Sequence, residues 1–527
     1  MNDYQKILNA QPGEMVTLYR EFDIVPDPVE YFAKISDHGR KQNCILLESA
    51  DIITKYGERS LGTADPCLKL SGKGAKFSIR ALNSLGQKFL HKLEADLHFC
   101  NELIVGKDTI RGFLNPVRKF VDENERLKLR THMDIIRAVA FKFKPLSKSF
   151  IQYAGLFGAI AYDFIDQFED LPANDADMIG DPDYELYYVD NLFLIDHSRA
   201  KMYFIANALI TDQDRDQTYV DCIKKMNSYE EYLQQAFIPD EVKKPPCPKI
   251  VTDTPKSIYI DKVKRLKKHI VNGDVFQIVL SRTIIAENTL PQYEVYTKLR
   301  RLNPSPYMFY INNGIGTLLG SSPEMFLKVE GEREKIVEIR PIAGTKPRGI
   351  IDGKVDPDLD SRYEIELKLD PKELAEHTML IDLARNDIAR ISETGSRFVD
   401  EPFAIEKYSH VQHLVSNVSG ILRKDLDALH AYLATMNMGT LTGAPKVEAM
   451  KLLRKYETDK RGYYGGAVGY LTPSGDFDSC ILIRSIRFKN RRAYIKVGAG
   501  IVYDSDPEKE FEETEKKAMA CLHALAS

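Results

Sequence analysis

A mixed α+β protein, in which a large antiparallel β-sandwich is flanked by helices, is the fold this sequence predicts. Alternating apolar and polar runs such as LYYVDNLFLID (Leu186 to Asp196) and KMYFIANAL (Lys201 to Leu209) follow one another closely, as strands of one antiparallel sheet do. Strand and helix signals do not alternate regularly, so a doubly wound parallel sheet is not indicated. Two segments open on Asp-Pro and continue as amphipathic helices: DPKELAEHTMLIDLARND (Asp370 to Asp387) and SDPEKEFEETEKKAMACLHAL (Ser505 to Leu525). In each the aspartate is a natural N-cap and the proline suits the first helical position.

Taken along the chain, the clearest break is IPDEVKKPPCPKIVTDTPKS (Ile238 to Ser257), where five prolines fall among many charges. It reads as a linker, residues 238–256. An N-terminal region, 1–237, and a motif-dense region, 257–527, lie on either side and are expected to pack as one intertwined unit. Just beyond, SIYIDKVKRLKKHIVNGD places Ile260, Val263, Leu266 and Ile270 on one helical face and stops at Asn272-Gly273. DVFQIVLSR follows as a strand with Val275, Gln277 and Val279 on one face. RPIAGTKPRG (Arg340 to Gly349), with two prolines and three cations, is neither a good helix nor a clean strand. GTLLGSSPEMFLKVE (Gly316 to Glu330) predicts a strand with Glu324 in its middle. RAYIKVGAGIVYD (Arg492 to Asp504) predicts another, running into Gly498, Ala499 and Gly500.

The bulk properties exclude several classes. The 527 residues carry a net charge of -4, which implies no general affinity for nucleic acid or an anionic membrane. The basic run KVKRLKKH reads as the solvated face of a helix. The most apolar stretch, YAGLFGAIAYDFI, is too short to span a bilayer and carries Asp163. The opening residues lack a basic segment followed by an apolar one, so no secretory signal is expected. Seven cysteines stand singly with no C-x-x-C, which fits reduced thiols in a cytoplasm. There is no P-loop, no G-x-G-x-x-G after a strand and no G-x-[CS]-x-G elbow. Nucleotide cofactors and covalent acyl chemistry are therefore not expected.

Candidate chemistry lies on the two Asp-Pro helices. Glu376 sits one turn beyond the cap with Leu380 and Leu383 on its face, so it is a surface acid, a buried paired acid or a metal ligand. Glu510, Glu513 and Lys517 share a face of the second helix at i, i+3 and i+7. Mg²⁺ takes one or two protein carboxylates together with waters and an anionic substrate. Glu376 and Glu513 would suit such a pair. GTLTGAPKVEAM (Gly439 to Met450) enters a helix near Pro445 with Lys446 in its first turn, an arrangement able to bind a carboxylate or simply to turn and cap. His413 in YSHVQHLVSNV is a candidate acid or base. The residues alone describe a soluble enzyme for a small polyanion, assisted by Mg²⁺.

Together GDVFQIVLSR, SSPEMFL, RPIAGTKPRG, KELAEHTMLIDLARND, HLVSNVSG, MGTLTGAPK, YYGGAVGY, IRS (Ile483 to Ser485), GAGIV and EETEKKA, in that order, closely resemble the component I family of anthranilate synthases, within the chorismate-utilising enzymes. The likeness runs from about Gly158 to the C-terminus, with a weaker part starting near LLES (Leu46 to Ser49). It implies Mg²⁺ ligation by Glu376 and Glu513, with the ion gripping the ring carboxylate of chorismate. It implies Glu324 as the general acid for the departing C4 hydroxyl, and Glu510 and Lys517 completing the surroundings of the metal. Gly344, Thr345, Tyr464, Arg484 and the backbone of Gly498, Ala499 and Gly500 match substrate-contacting positions. His413 and Thr440 would assist near the ring. Ammonia would add at C2 and pyruvate leave.

Within this family the position of Ala343 separates reactions, because sister enzymes carry a nucleophilic lysine there. Others place a water-activating lysine where this chain has Gln277. Ala343 with Gln277 therefore points to an external amine. LLES together with NPSPYMFY (Asn303 to Tyr310) resembles the family's tryptophan feedback site, implying that Ser49, Pro306, Tyr307 and Met308 contact L-tryptophan. The absence of tryptophan from the sequence suits an enzyme made when tryptophan is scarce. With no glutaminase nucleophile visible, ammonia is expected from solution or from a separate glutamine amidotransferase subunit, the family's usual partner, often in a heterotetramer. Two alternatives stand beside this reading: a synthase of 2-amino-2-deoxyisochorismate that lacks the lyase step, and a non-catalytic tryptophan-sensing subunit.

Overall fold

The computed structural model describes residues 2–50, 59–119, 121–146, 153–211, 214–240, 247–408 and 411–526. Residues 241–246 of the expected linker lie outside them. Two large sheets of thirteen strands each dominate the described residues. Their strand pairs are antiparallel except for a short parallel pairing of Glu14–Phe22 with Lys144–Pro145. The runs read as strands at 186–196 and 201–209 are strands, Tyr184–Val189, Asn191–Asp196 and Lys201–Leu209.

The sheets stack face to face. Ile45, Leu192 and Phe309 from the first meet Phe157, Tyr187 and Val468 from the second in a shared apolar layer. Burying side chains of this size contributes roughly 1.5–3 kcal/mol each. Helices cover both outer faces, so the protein is an α+β sandwich. Pro28–Ser36, Arg215–Gln234, Gln292–Leu302 and Pro507–Leu525 pack on one side. Ser84–Leu93, His132–Ala140, Pro371–Ala389 and Ala428–Thr435 pack on the other. Strands from both sides of 238–256 enter each sheet: Glu48 pairs with Met308 in the first, and Ala159 with Val468 in the second. Among the described residues no helix is long and apolar enough to cross a membrane.

The apolar run 316–330 is not one strand. Gly316–Ser322 lies in the first sheet and Met325–Glu330 in the second, so the chain changes sheets at Pro323 and Glu324. Proline has no N–H for a ladder, which ends the first strand there. Alongside, Phe477–Ile481 of the second sheet passes through Arg484 into Ser485–Lys489 of the first. The two crossings run antiparallel, and this places Glu324 beside Arg484.

The segment RPIAGTKPRG is more regular than its composition predicts. Ile342–Pro347 is the edge strand of the second sheet, where proline is tolerated, and pairs with Val411–Ile421. Its register shifts between Ala343 and Thr345, at Gly344, whose φ is 66°. This bulge needs the left-handed conformation that glycine adopts without strain.

Candidate active site

Backbone bonds fix the two crossings against each other. Ser321 N–H donates to the Arg484 carbonyl (3.1 Å) and Ile481 N–H to the Glu324 carbonyl (3.0 Å). The Glu324 side chain is thereby held in the seam, with the residue only 8% exposed. Burial pushes its carboxyl up from 4.5 to about 7, while Thr440, Lys517 and Arg484 pull the other way. A carboxyl poised near neutrality suits proton donation. The Thr440 hydroxyl makes no well-formed hydrogen bond of its own, so its contact with Glu324 is loose. Arg484 has φ 50°, a left-handed conformation that costs about 1–3 kcal/mol for a residue other than glycine. Its guanidinium has no ion-pair partner among the described residues.

One wall of the site is backbone. Gly498–Gly500 pair with Ser281–Val279 across the first sheet. A Cβ at Gly498 would lie 2.7 Å from the Tyr464 hydroxyl and 2.9 Å from the Leu280 carbonyl; one at Gly500 would lie 2.8 Å from Gln277 Nε2. The missing side chains let Tyr464 and Gln277 approach the strand. Tyr464 rests near the buried Arg461, whose guanidinium lies 5.8 Å from the ring and donates to the Leu441 and Val279 carbonyls. Lys517 donates to the Gly498 carbonyl (3.0 Å) and pairs with Glu513 (2.6 Å).

A second wall is acidic. Asp370 caps its helix by accepting from the N–H groups of Lys372 (3.0 Å) and Glu373 (3.3 Å), and Asp506 does the same for Glu508 and Lys509 (3.0 Å each). Glu373 does not complete a capping box; it turns toward Gly344, where a Cβ would lie 2.9 Å from its Oε2. The two helices bring Glu373, Glu376, Glu510 and Glu513 within mutual electrostatic reach. Burial raises the Glu376 carboxyl, Lys372 at 3.6 Å opposes that, and Glu373, Glu510 and Glu513 add to it. Burial also raises Glu510, and its Oε2 is buried without a hydrogen-bond partner. Four carboxylates facing Lys372 and Lys517, one with an orphaned oxygen, fit a divalent cation. No three His, Cys, Asp or Glu side chains form a complete cage among the described residues.

His413 faces this space from the second sheet. Its Nδ1 lies 3.0 Å from the Gly344 carbonyl and 3.0 Å from Thr345 Oγ1. A carbonyl can only accept, so Nδ1 carries the proton and Nε2 the lone pair. Burial lowers the His413 pKa, which keeps the ring neutral. Ala343 opposite Leu414 presents only a methyl group. The cations around it are spent on carboxylates: Arg340 on Glu406, Lys346 on Glu366 (3.2 Å) and Arg348 on Asp360 (2.7 Å). Lys446 likewise departs from the carboxylate-binding expectation. Its side chain is largely covered, and its amine donates to Asp387 (2.7 Å) and to the Thr435 carbonyl (2.9 Å).

The family model described as chorismate binding enzyme matches residues 103–523. The chain belongs to the family of chorismate-binding enzymes. Anthranilate synthase component 1 of Vibrio cholerae is 40% identical over 528 residues, covering 100% of this chain and 98% of that one. The crystal structure of anthranilate synthase component I from Streptococcus pneumoniae superposes with a TM-score of 0.69 at 30% identity, covering 88% of this chain and 92% of the other. The menaquinone-specific isochorismate synthase of Escherichia coli shares the fold, with a TM-score of 0.66 at 16% identity, covering 100% and 99% of the two chains.

In this member of the family a cavity of about 520 Å³ opens between the sheets, lined by none of the acidic-wall residues. Ser49, Pro306, Tyr307 and Met308, the four residues matched to a feedback site, all line it. Ser49 Oγ is buried without a partner, and the Tyr307 hydroxyl donates to Asp478 (3.1 Å). Tyr470, Asp478 and Arg340 also line this space and were not singled out from the sequence. Asp478, the one acidic residue in the strand Phe477–Ile481, was the available signal. Arg340 faces both this cavity and a water-sized one, about 20 Å³, that Glu324 and Thr440 line.

Proposed function

We propose that this chain is the large subunit of an anthranilate synthase, a lyase that converts chorismate and ammonia to anthranilate, pyruvate and water. The observation that supports this reading best is Glu324, a buried carboxyl poised near neutrality between the Lys517 and Arg484 cations. It is the proton donor to the departing C4 hydroxyl. Arg484 offers its planar fork to the enolpyruvyl carboxylate, where paired donors hold better than a point charge. Glu376 and Glu513, with Glu510 beside them, would hold Mg²⁺, and the Lewis acidity it would supply there is neutralisation of the ring carboxylate. Gly344, Thr345, Tyr464 and the Gly498–Gly500 backbone shape the space around the ring.

The choice of nucleophile rests on two side chains. Ala343 has none to offer, and the Gln277 amide cannot deprotonate water. Free ammonia therefore adds at C2. His413, with Nδ1–H committed to Gly344, presents Nε2 to the C2 proton as pyruvate leaves and the ring becomes aromatic. The ammonia comes from a glutamine amidotransferase subunit, in a heterotetramer. The seven unpaired thiols support a cytoplasmic setting.

The 520 Å³ cavity is read as the L-tryptophan feedback site. Aromatic Tyr153, Tyr307 and Tyr470 would face the indole, while Asp478 and Glu338 suit an ammonium and the Ser49 hydroxyl a carboxylate. Met325, next to Glu324 in the chain, lines the same cavity, which offers a short path from inhibitor to acid. The test incubates purified protein with chorismate, Mg²⁺ and ammonium, and follows anthranilate fluorescence with and without L-tryptophan. Anthranilate that falls on adding tryptophan is expected. Chorismate consumed without anthranilate would overturn the reaction assignment, and unchanged turnover with tryptophan would overturn the feedback assignment.

A further inference from the structure

The helix Pro371–Ala389 carries more than the carboxylate wall. Glu376, Leu380, Leu383 and Asp387 recur at i, i+4, i+7 and i+11 and so share one face. At 1.5 Å per residue, Asp387 lies about 16 Å along the helix from Glu376. The segment from Thr435 to Lys446, which includes Thr440, folds against this face. Lys446 closes the segment on itself by donating to the Thr435 carbonyl (2.9 Å) and anchors it by donating to Asp387 (2.7 Å). Asp387 is buried, at 5% exposure, and the Lys446 side chain is largely so, at 11%. Arg390, just past the helix, donates to the neighbouring Ala434 carbonyl (2.7 Å). Midway, Gly439 presses on Leu383 so closely that a Cβ would lie 1.9 Å from Leu383 Cδ2. Glu324, Leu383, Asp387, Gly439 and Thr440 line one small cavity of about 20 Å³.

We infer that Asp387 and Lys446 are a positioning pair, a clamp that sets Thr440 against Glu324 and registers both to the helix bearing Glu376. This rests on the proposed reaction for its catalytic consequence, not for its geometry. A buried ion pair is weak evidence for stability, since apolar residues of similar size often replace one at no cost. Its directionality is what this loop uses. Thr440 has no hydrogen bond that would hold it by itself, so its placement depends on both ends of the segment being tied down.

The groups facing the Glu324 carboxyl are Thr440, Lys517 and Arg484, with Arg340 and Asp387 across the small cavity. Thr440 favours the ionised form, so releasing it raises the pH at which the acid is lost. Asp387→Asn should therefore lower kcat by on the order of ten-fold or more, as sub-ångström misplacement does, with the KM for chorismate little changed. It should also move the alkaline limb of the kcat profile upward, as Thr440→Val does. In a Thr440→Val background Asp387→Asn should add almost nothing. Because Asp387→Asn leaves a buried amine without its partner, the apolar pair Asp387→Leu with Lys446→Met serves as a second variant expected to fold.

The direct readout is hydrogen exchange of residues 436–444 in the holo-protein, which needs no turnover. Faster exchange there in either variant, with exchange of the helix Pro371–Ala389 unchanged, is the expected result. Equal exchange would overturn the clamp, as would independent losses of kcat in the cycle with Thr440→Val. A wild-type protein that consumes no chorismate would refute the proposed reaction, and the exchange experiment would still decide the clamp.

Discussion

Replacing Glu324 with glutamine separates stability from activity and gives the proton-donor assignment a quantitative test. The folded carboxyl titrates near 7, whereas an exposed one titrates at 4.5, because burial disfavours the anion. The native state thus binds this proton more tightly than the unfolded chain does. Ionisation begins to destabilise the fold above the unfolded value of 4.5, and the loss is complete once the pH passes about 7. At 1.36 kcal/mol per pH unit the full loss is about 3 kcal/mol. Glutamine keeps the shape and removes the charge. Relative to wild type, Glu324→Gln should therefore gain under about 1 kcal/mol at pH 5 and about 3 kcal/mol at pH 8.5. With an unfolding entropy of roughly 2.1 cal/mol/K per residue, that is a Tm advantage of about 3 °C at the higher pH. Differential scanning fluorimetry across this range reads the widening gap directly. The same variant should lose on the order of 10²–10⁴-fold in kcat. A Tm difference that does not change between pH 5 and 8.5 would show that Glu324 is not perturbed and refute the reasoning.

Other variants probe separate parts of the site. Gln277→Lys brings an amine beside Gly500 and should divert some chorismate to the water adduct; no detectable isochorismate from a folded variant would count against the role given to Gln277. Gly498→Ala forces a methyl group to within 2.7 Å of the Tyr464 hydroxyl, so kcat/KM should fall on the order of ten-fold or more; wild-type kinetics would mean that the close approach does no work. Ser49→Phe fills the 520 Å³ cavity at its buried hydroxyl and should raise the tryptophan concentration needed for inhibition roughly ten-fold or more. Inhibition by L-tryptophan that is unaltered in this variant would move the feedback site elsewhere.

Much of the fold was legible because its signals are local. Asp370-Pro371 and Asp506-Pro507 mark helix starts by capping chemistry alone, and both aspartates accept the backbone N–H groups expected of them. Alternation identified the strands that stack as a sandwich. Glu324 was harder. The run from Gly316 to Glu330 is apolar enough to pass for one strand, and only Pro323 hints that it changes sheets. That Glu324 would meet Arg484 follows from two crossings 160 residues apart running side by side, which no local pattern encodes. Lys446 misled for a related reason. At a helix start it looks like an anion binder, but its carboxylate is Asp387 of another helix, 59 residues away. In RPIAGTKPRG, likewise, three cations stand out in the sequence, yet Glu406, Glu366 and Asp360 neutralise them. Pair partners distant in sequence decide whether a charge is available to a ligand, and sequence alone does not supply them.

The central claim is that an external amine, not water or a lysine, enters at C2 and that pyruvate then leaves. The most direct test is one incubation of the protein with chorismate, Mg²⁺ and isotopically heavy ammonium, with every product quantified by mass spectrometry. The account predicts heavy anthranilate and pyruvate in equal amounts. Heavy 2-amino-2-deoxyisochorismate without pyruvate, or isochorismate with no nitrogen incorporated, would contradict it.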